Sequence, residues 1–136
     1  MMLDPKDLYP GAEHFYVYEV MCGCGCGFGR NEGDVSPALI SLLEGIREHV
    51  GGPVRLNSVC RCPEHNEAVG GVKNSVHKLK PCEAADIQVE GGRYRFMVQH
   101  AAHECGAEGV GTARGFIHVD THKGSPEVPR PSAWSY

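Results

Sequence analysis

Glu108-Gly-Val-Gly-Thr112 and Gly115-Phe-Ile-His-Val-Asp120 read as two short β-strands joined by a tight turn at Ala113-Arg114, and this pair decides the fold. A tight hairpin forces its strands antiparallel, so the sheet it seeds is expected to be antiparallel and to carry helices on one face. Upstream, from about residue 92 to 105, Phe96, Val98, Ala101, Ala102 and Cys105 are assigned to the buried side of a helix that Gly106 stops. Ser36-Pro37 places a capping residue before a proline at the first helical position. Leu39, Leu42, Leu43, Ile46 and Val50 then recur at helical spacing as far as Gly51-Gly52. Residues 53–58 alternate apolar and polar side chains as a strand does, and residues 84–89 form another short strand. The order helix, strand, helix, strands defines an α+β domain with helices packed on one antiparallel sheet.

Working outward, the 136 residues fit one domain, 1–136, with an aromatic and acidic arm at 1–20 and a Pro-rich covering tail at 124–136 closed by Trp134 and Tyr136. Hydrophobic residues at 41% and charged residues at 22% are ordinary globular usage, which excludes wholesale disorder. Thirteen Lys+Arg against seventeen Asp+Glu give a net charge of -4 with no basic cluster, so the footprint of a nucleic-acid binder is missing. No run of apolar residues is long enough to span a membrane. Met1-Met2-Leu3-Asp4-Pro5-Lys6-Asp7 lacks the apolar stretch of a signal peptide, so synthesis in a cytoplasm is expected. A monomer is expected.

Seven cysteines, an odd number, and eight histidines point to metal ligation more than to a disulfide framework. In Cys22-Gly-Cys-Gly-Cys-Gly-Phe-Gly29, glycine at every second place implies a loop in which sulfurs can converge. Cys22, Cys24 and Cys26 with Cys60 and Cys62 could bring four thiolates together; the set Cys22, Cys24, Cys60 and Cys62 is the structural-metal reading, with buried free thiols or a disulfide as its alternatives. No Cys-His-Asn order supports a cysteine nucleophile. His77, Asp86 and His118 form a two-imidazole, one-carboxylate set of the kind that leaves a position open on a catalytic zinc, although any one histidine on a strand is more often a satisfied core or surface residue.

Four segments carry a resemblance: Asn57-Ser-Val-Cys-Arg-Cys-Pro-Glu-His-Asn66, Val69-Gly-Gly-Val-Lys-Asn-Ser-Val-His77, Ala84-Ala-Asp-Ile87 and Gly115-Phe-Ile-His-Val-Asp120. Together they resemble the M15 peptidases, a family of zinc D-Ala-D-Ala carboxypeptidases and phage endolysin peptidases that shares its fold with the Hedgehog signalling domain. The resemblance implies zinc held by His77, Asp86 and His118, and it implies Arg61 and Ser75 as substrate-facing residues. It also implies hydrolysis of D-amino-acid-containing bonds in the stem peptides of peptidoglycan, at the cell wall after release from the cytoplasm, with no nucleic acid or membrane as partner. A guanidinium at Arg61 suits a carboxylate or a developing oxyanion through paired hydrogen bonds, its alternative being a surface ion pair.

Two departures from the family pattern stand out. The segment from His77 to Asp86 is two residues longer than the usual S-x-H-x-x-G-x-A-x-D, an insertion that a loop can absorb. Many members place an acid three residues before the last ligand, where this chain has Gly115. Asp120 is then either the general base or the partner that orients His118, the second role being favoured; Glu104, Glu108 and His122 are further choices for the base. With no base in reach, the chain would instead be a non-catalytic, zinc-stabilised phage structural or wall-binding module.

Overall fold

The computed structural model describes residues 2–73 and 75–136; Met1 of the arm and Asn74 of the motif segment lie outside the described residues. The helix read from Ser36-Pro37 is α2, Pro37–Val50, after a four-residue α1 at Val17–Val20. Its buried face is Leu39, Ile40, Leu42, Leu43 and Ile46, and Gly51 closes it in the left-handed conformation at φ 74°. Then come β1 at Leu56–Ser58, a six-residue α3 at Pro63–Ala68, a single 3-10 turn at Val76–Lys78 and β2 at Ala84–Gln88. The second long helix, α4, spans Gly92–Glu104 and is followed by β3 at Gly109–Thr112 and β4 at Phe116–Asp120.

On α4, Val98, Ala101 and Ala102 are buried as expected, but Phe96 is 67% exposed. Two residues are about 200° of helical rotation, which turns Phe96 away from the face that Val98 shares with Ala101 and Ala102. It stacks on His100 one turn later instead. The strand expected over 53–58 is shorter, Leu56–Ser58, and a bulge between Leu56 and Ser58 shifts its register with β2.

The sheet runs β1-β2-β4-β3, all antiparallel, and then adds a fifth strand, β5 at Ser132–Ser135, from the segment read as a covering tail. This strand pairs with β3 in parallel, so the sheet is mixed and the wholly antiparallel expectation is corrected. The reason is topological. β4 ends at Asp120 opposite Gly109, where β3 begins, and residues 121–131 cross at that same end, so the chain re-enters the sheet in the direction of β3.

The pleat separates the two jobs of the sheet. Ala85 and Ile87 of β2 and Ile117 and Val119 of β4 face the helices and are fully buried with the α2 and α4 faces. Their sequence neighbours Asp86 and His118 face the other way and stand directly opposite each other across the ladder. The same row continues from Ser58 through Asp86, His118 and Gly111 to Trp134. Gly111 is required there: a Cβ would lie 2.5 Å from the Trp134 indole nitrogen, and without one the indole reaches across to His118, with ring centroids 5.1 Å apart.

Candidate metal centre and cleft

His77, Asp86 and His118 come together although they arise from a 3-10 turn and two strands, and all three are buried. Ser75 sets the turn: its Oγ accepts the backbone N–H of His77 at 3.2 Å. The longer His77-to-Asp86 segment is accommodated between that turn and β2, so the Asp86–His118 register is intact.

Hydrogen bonding fixes both imidazole tautomers. His77 Nδ1–H donates to the Val59 carbonyl at 2.7 Å, which leaves the Nε2 lone pair facing Asp86 Oδ1 at 3.2 Å. His118 Nε2–H donates to Asp120 Oδ2 at 2.6 Å, which leaves the Nδ1 lone pair facing the same Oδ1 at 3.3 Å. Two nitrogen lone pairs and a carboxylate oxygen thus converge with no proton between them, and a cation is what such a set accommodates. The residues present therefore fit a divalent metal held by two imidazoles and one acid.

Burial lowers the pKa of His77, an effect that the Asp86 contact only partly offsets. Burial acts the same way on His118, but its bond to Asp120 and the nearby Asp86 carboxylate outweigh it and raise the value. Burial alone would raise Asp86, yet the facing imidazoles of His118 and His77 hold it well below the ordinary carboxylate range.

Asp120 is completely buried, and its acceptor capacity is taken up. Besides His118, it accepts Arg130 Nε at 3.0 Å, Arg130 Nη2 at 2.6 Å and the His122 backbone N–H at 3.2 Å. Against the cost of burial, His118 and Arg130 bring its pKa down to about 2. A carboxylate so engaged orients His118 and has no lone pair to offer a reacting water, so the base reading of Asp120 does not fit the geometry. The other bases considered fare no better. Glu104 lies beside His100, Glu108 beside Lys123 and His122 beside Glu83, and none of the three lines the cleft. At Gly115 an added Cβ would meet only open space.

The cleft over the metal centre has a volume of about 940 Å³. Arg61 and Ser75 line it, with Arg61 Nη2 donating to Ser75 Oγ at 3.2 Å. Arg61 Nε is buried and, among the described residues, has no hydrogen-bond partner. Burial lowers the arginine pKa, against the pull of Asp86. The opposite wall comes from the tail, through Glu127, Arg130, Trp134 and Tyr136, none of which was assigned to the site from sequence. The available signal was β3, which the hairpin would otherwise leave at the edge of the sheet, and such an edge has to be covered.

The cysteine set differs from its expected membership. Cys22, Cys24, Cys26 and Cys62 converge, with all four sulfurs within 4.8 Å of one another. Cys60 is instead a buried core residue facing Cys82, sulfur to sulfur at 2.7 Å.

An α+β fold with a two-histidine, one-carboxylate cluster on the floor of an open cleft has the donor set of a metal centre that keeps an open coordination position. The Peptidase M15 profile matches residues 13–120, and the chain belongs to that family, a family of metallopeptidases. No curated protein matches the chain. Among the described residues, no helix is long and apolar enough to cross a membrane.

Proposed function

We propose that the protein is a zinc peptidase that cleaves D-amino-acid-containing peptide bonds in peptidoglycan stem peptides. The observation that carries this reading is the convergence of three metal-binding lone pairs on the floor of a cleft that Arg61 also lines. His77, Asp86 and His118 would hold the zinc, which would supply Lewis-acid polarisation of a carbonyl and a more acidic water. Arg61, fixed by Ser75 and lining the cleft, binds a carboxylate or carbonyl oxygen of the stem peptide through its guanidinium. Trp134 and Tyr136 wall the cleft and exclude water from one side. Apart from Asp86, Glu127 is the carboxylate among the described residues that lines the cleft; it takes the proton of the attacking water and returns it to the departing amine. The protein acts as a monomer at the cell wall after release, with neither nucleic acid nor membrane as partner.

The test is incubation of zinc-loaded protein with purified peptidoglycan and mass analysis of the soluble products. New amine termini support the reading and identify the bond. Loss of those products in Glu127→Gln at unchanged zinc content assigns the proton acceptor, whereas full activity of that variant removes Glu127 from the mechanism. Gly115 favours a second reading, a zinc-stabilised wall-binding module without activity. Binding to peptidoglycan without peptide release from several wall types would select it.

A further inference from the structure

The Cys-Gly loop is not used by the chemistry of the cleft, yet it is built with care. Cys22 Sγ lies 3.5 Å from Cys24 Sγ, which lies 3.6 Å from Cys62 Sγ. Four sulfurs at the corners of a tetrahedron around zinc, each about 2.3 Å from the metal, are separated by about 3.8 Å. Backbone amides point at two of the sulfurs, Cys62 N–H at Cys22 Sγ over 3.4 Å and His65 N–H at Cys62 Sγ over 3.3 Å, as they do around bound thiolates. Cys22 is buried while Cys24 and Cys26 are exposed, which gives a closed inner side and an entry path from solvent. Exposed thiols are otherwise uncommon. Gly25 and Gly27 take positive φ of 80° and 97°, and these turns bring Cys24 and Cys26 back beside Cys22.

We propose that Cys22, Cys24, Cys26 and Cys62 form a second metal site, a tetrathiolate zinc centre that clips the Cys-Gly loop to the segment carrying Arg61 and His65. Binding converts four thiols to thiolates and releases four protons, with no change of oxidation state. Cys62 is the fulcrum. It follows Arg61 directly, and its sulfur accepts the first amide bond of α3, whose His65 also lines the cleft. A six-residue helix has little stability of its own, so a metal at its start holds both residues in place. His65 in turn packs on the loop, its Nε2 being 3.2 Å from where a Cβ on Gly23 would stand. The positioning of Arg61 rests on the cleft being a peptide-binding site, whereas the tetrathiolate centre stands without it.

The experiment uses the full chain kept reduced, with metal content measured on the zinc form and absorption on the cobalt form. Wild type is expected to hold two equivalents and to show the intense near-ultraviolet band of thiolate-to-cobalt charge transfer. The double variant Cys24→Ser/Cys26→Ser should lose one equivalent and the band, while His118→Ala should lose the other equivalent and keep the band. Hydrogen exchange of the wild-type amides of residues 61–68 should slow on loading the thiolate site, a readout that needs no variant to fold. A reduced wild type without the band, a band that survives the double substitution, or iron in place of zinc overturns the site. Exchange at 61–68 that is indifferent to metal overturns the clip. A His118→Ala protein that keeps both equivalents would count against the catalytic centre and leave the thiolate centre standing.

Discussion

Replacing Asp120 by Asn removes one charge from the most enclosed polar group of the protein and leaves its shape almost unchanged. The carboxylate accepts from Arg130 twice, from His118 and from the His122 backbone, and it is fully buried. An amide keeps one acceptor oxygen, and its NH2 group must then face either the Arg130 guanidinium or His118 Nε2–H, donor against donor. Removing one partner of a buried pair costs about 3–5 kcal/mol, much of it the cost of leaving the other charge uncompensated. Small domains have about 5–15 kcal/mol in total, so Asp120→Asn should remain folded in the cold with a much lower denaturant midpoint. Zinc affinity should fall roughly tenfold to a hundredfold, because His118 loses the acceptor that fixes its tautomer. The pH dependence follows from the depressed folded-state pKa. With the group at about 2 when folded against an ordinary 3.8, its contribution is present above about pH 4 and is lost as the pH falls toward 2. That interval is worth on the order of 2 kcal/mol. Urea titrations of both proteins between pH 2 and 7 and competitive zinc titrations measure these quantities. A variant with unchanged stability and zinc affinity but no hydrolysis would refute the reasoning, since it would make Asp120 a proton acceptor.

Three further outcomes are expected. His118→Ala should lose the zinc of the His77, Asp86 and His118 centre, measured by metal analysis; retention of that equivalent with the same coordination would exclude the ligand assignment. Arg61→Lys keeps the charge but not the planar fork or the buried Nε–H, so peptide release from peptidoglycan should fall at least tenfold, roughly, with zinc content unchanged. Gly111→Ala should push the Trp134 indole off His118 and destabilise the protein by about 1–3 kcal/mol, visible as a lower thermal midpoint and altered tryptophan emission.

The long helices and the central strands were legible because their apolar periods are strong and local. α2 follows from Leu39, Leu42, Leu43 and Ile46 between a proline and two glycines, and β2, β3 and β4 from short apolar runs set between turns. His77, Asp86 and His118 could be named as a set only through the motifs around them, since nothing local to Ala84-Ala-Asp-Ile87 says that Asp86 stands opposite a histidine 32 residues later. β5 was not legible. Its Ser132-Ala-Trp-Ser135 follows three prolines and is half-exposed, so pairing with β3 rather than sequence pattern makes it a strand. Glu127 was hidden for the same reason, since its place in the cleft depends on where the tail crosses. The exchange of Cys60 for Cys26 in the thiol cluster turned on the side to which each sulfur points, which C-x-C spacing leaves open until the backbone is known.

The two-residue alternation of β2 and β4 has a consequence for how such a protein can change over generations. Ile87, Ile117 and Val119 answer to the helices, and Asp86 and His118 answer to the cleft, with no side chain serving both. Substitutions at every second position can therefore retune which ligand is gripped while the hydrophobic interior stays as it was, and interior repacking can raise robustness without disturbing chemistry. The pleat makes stability and specificity two separately adjustable traits written into the same ten residues.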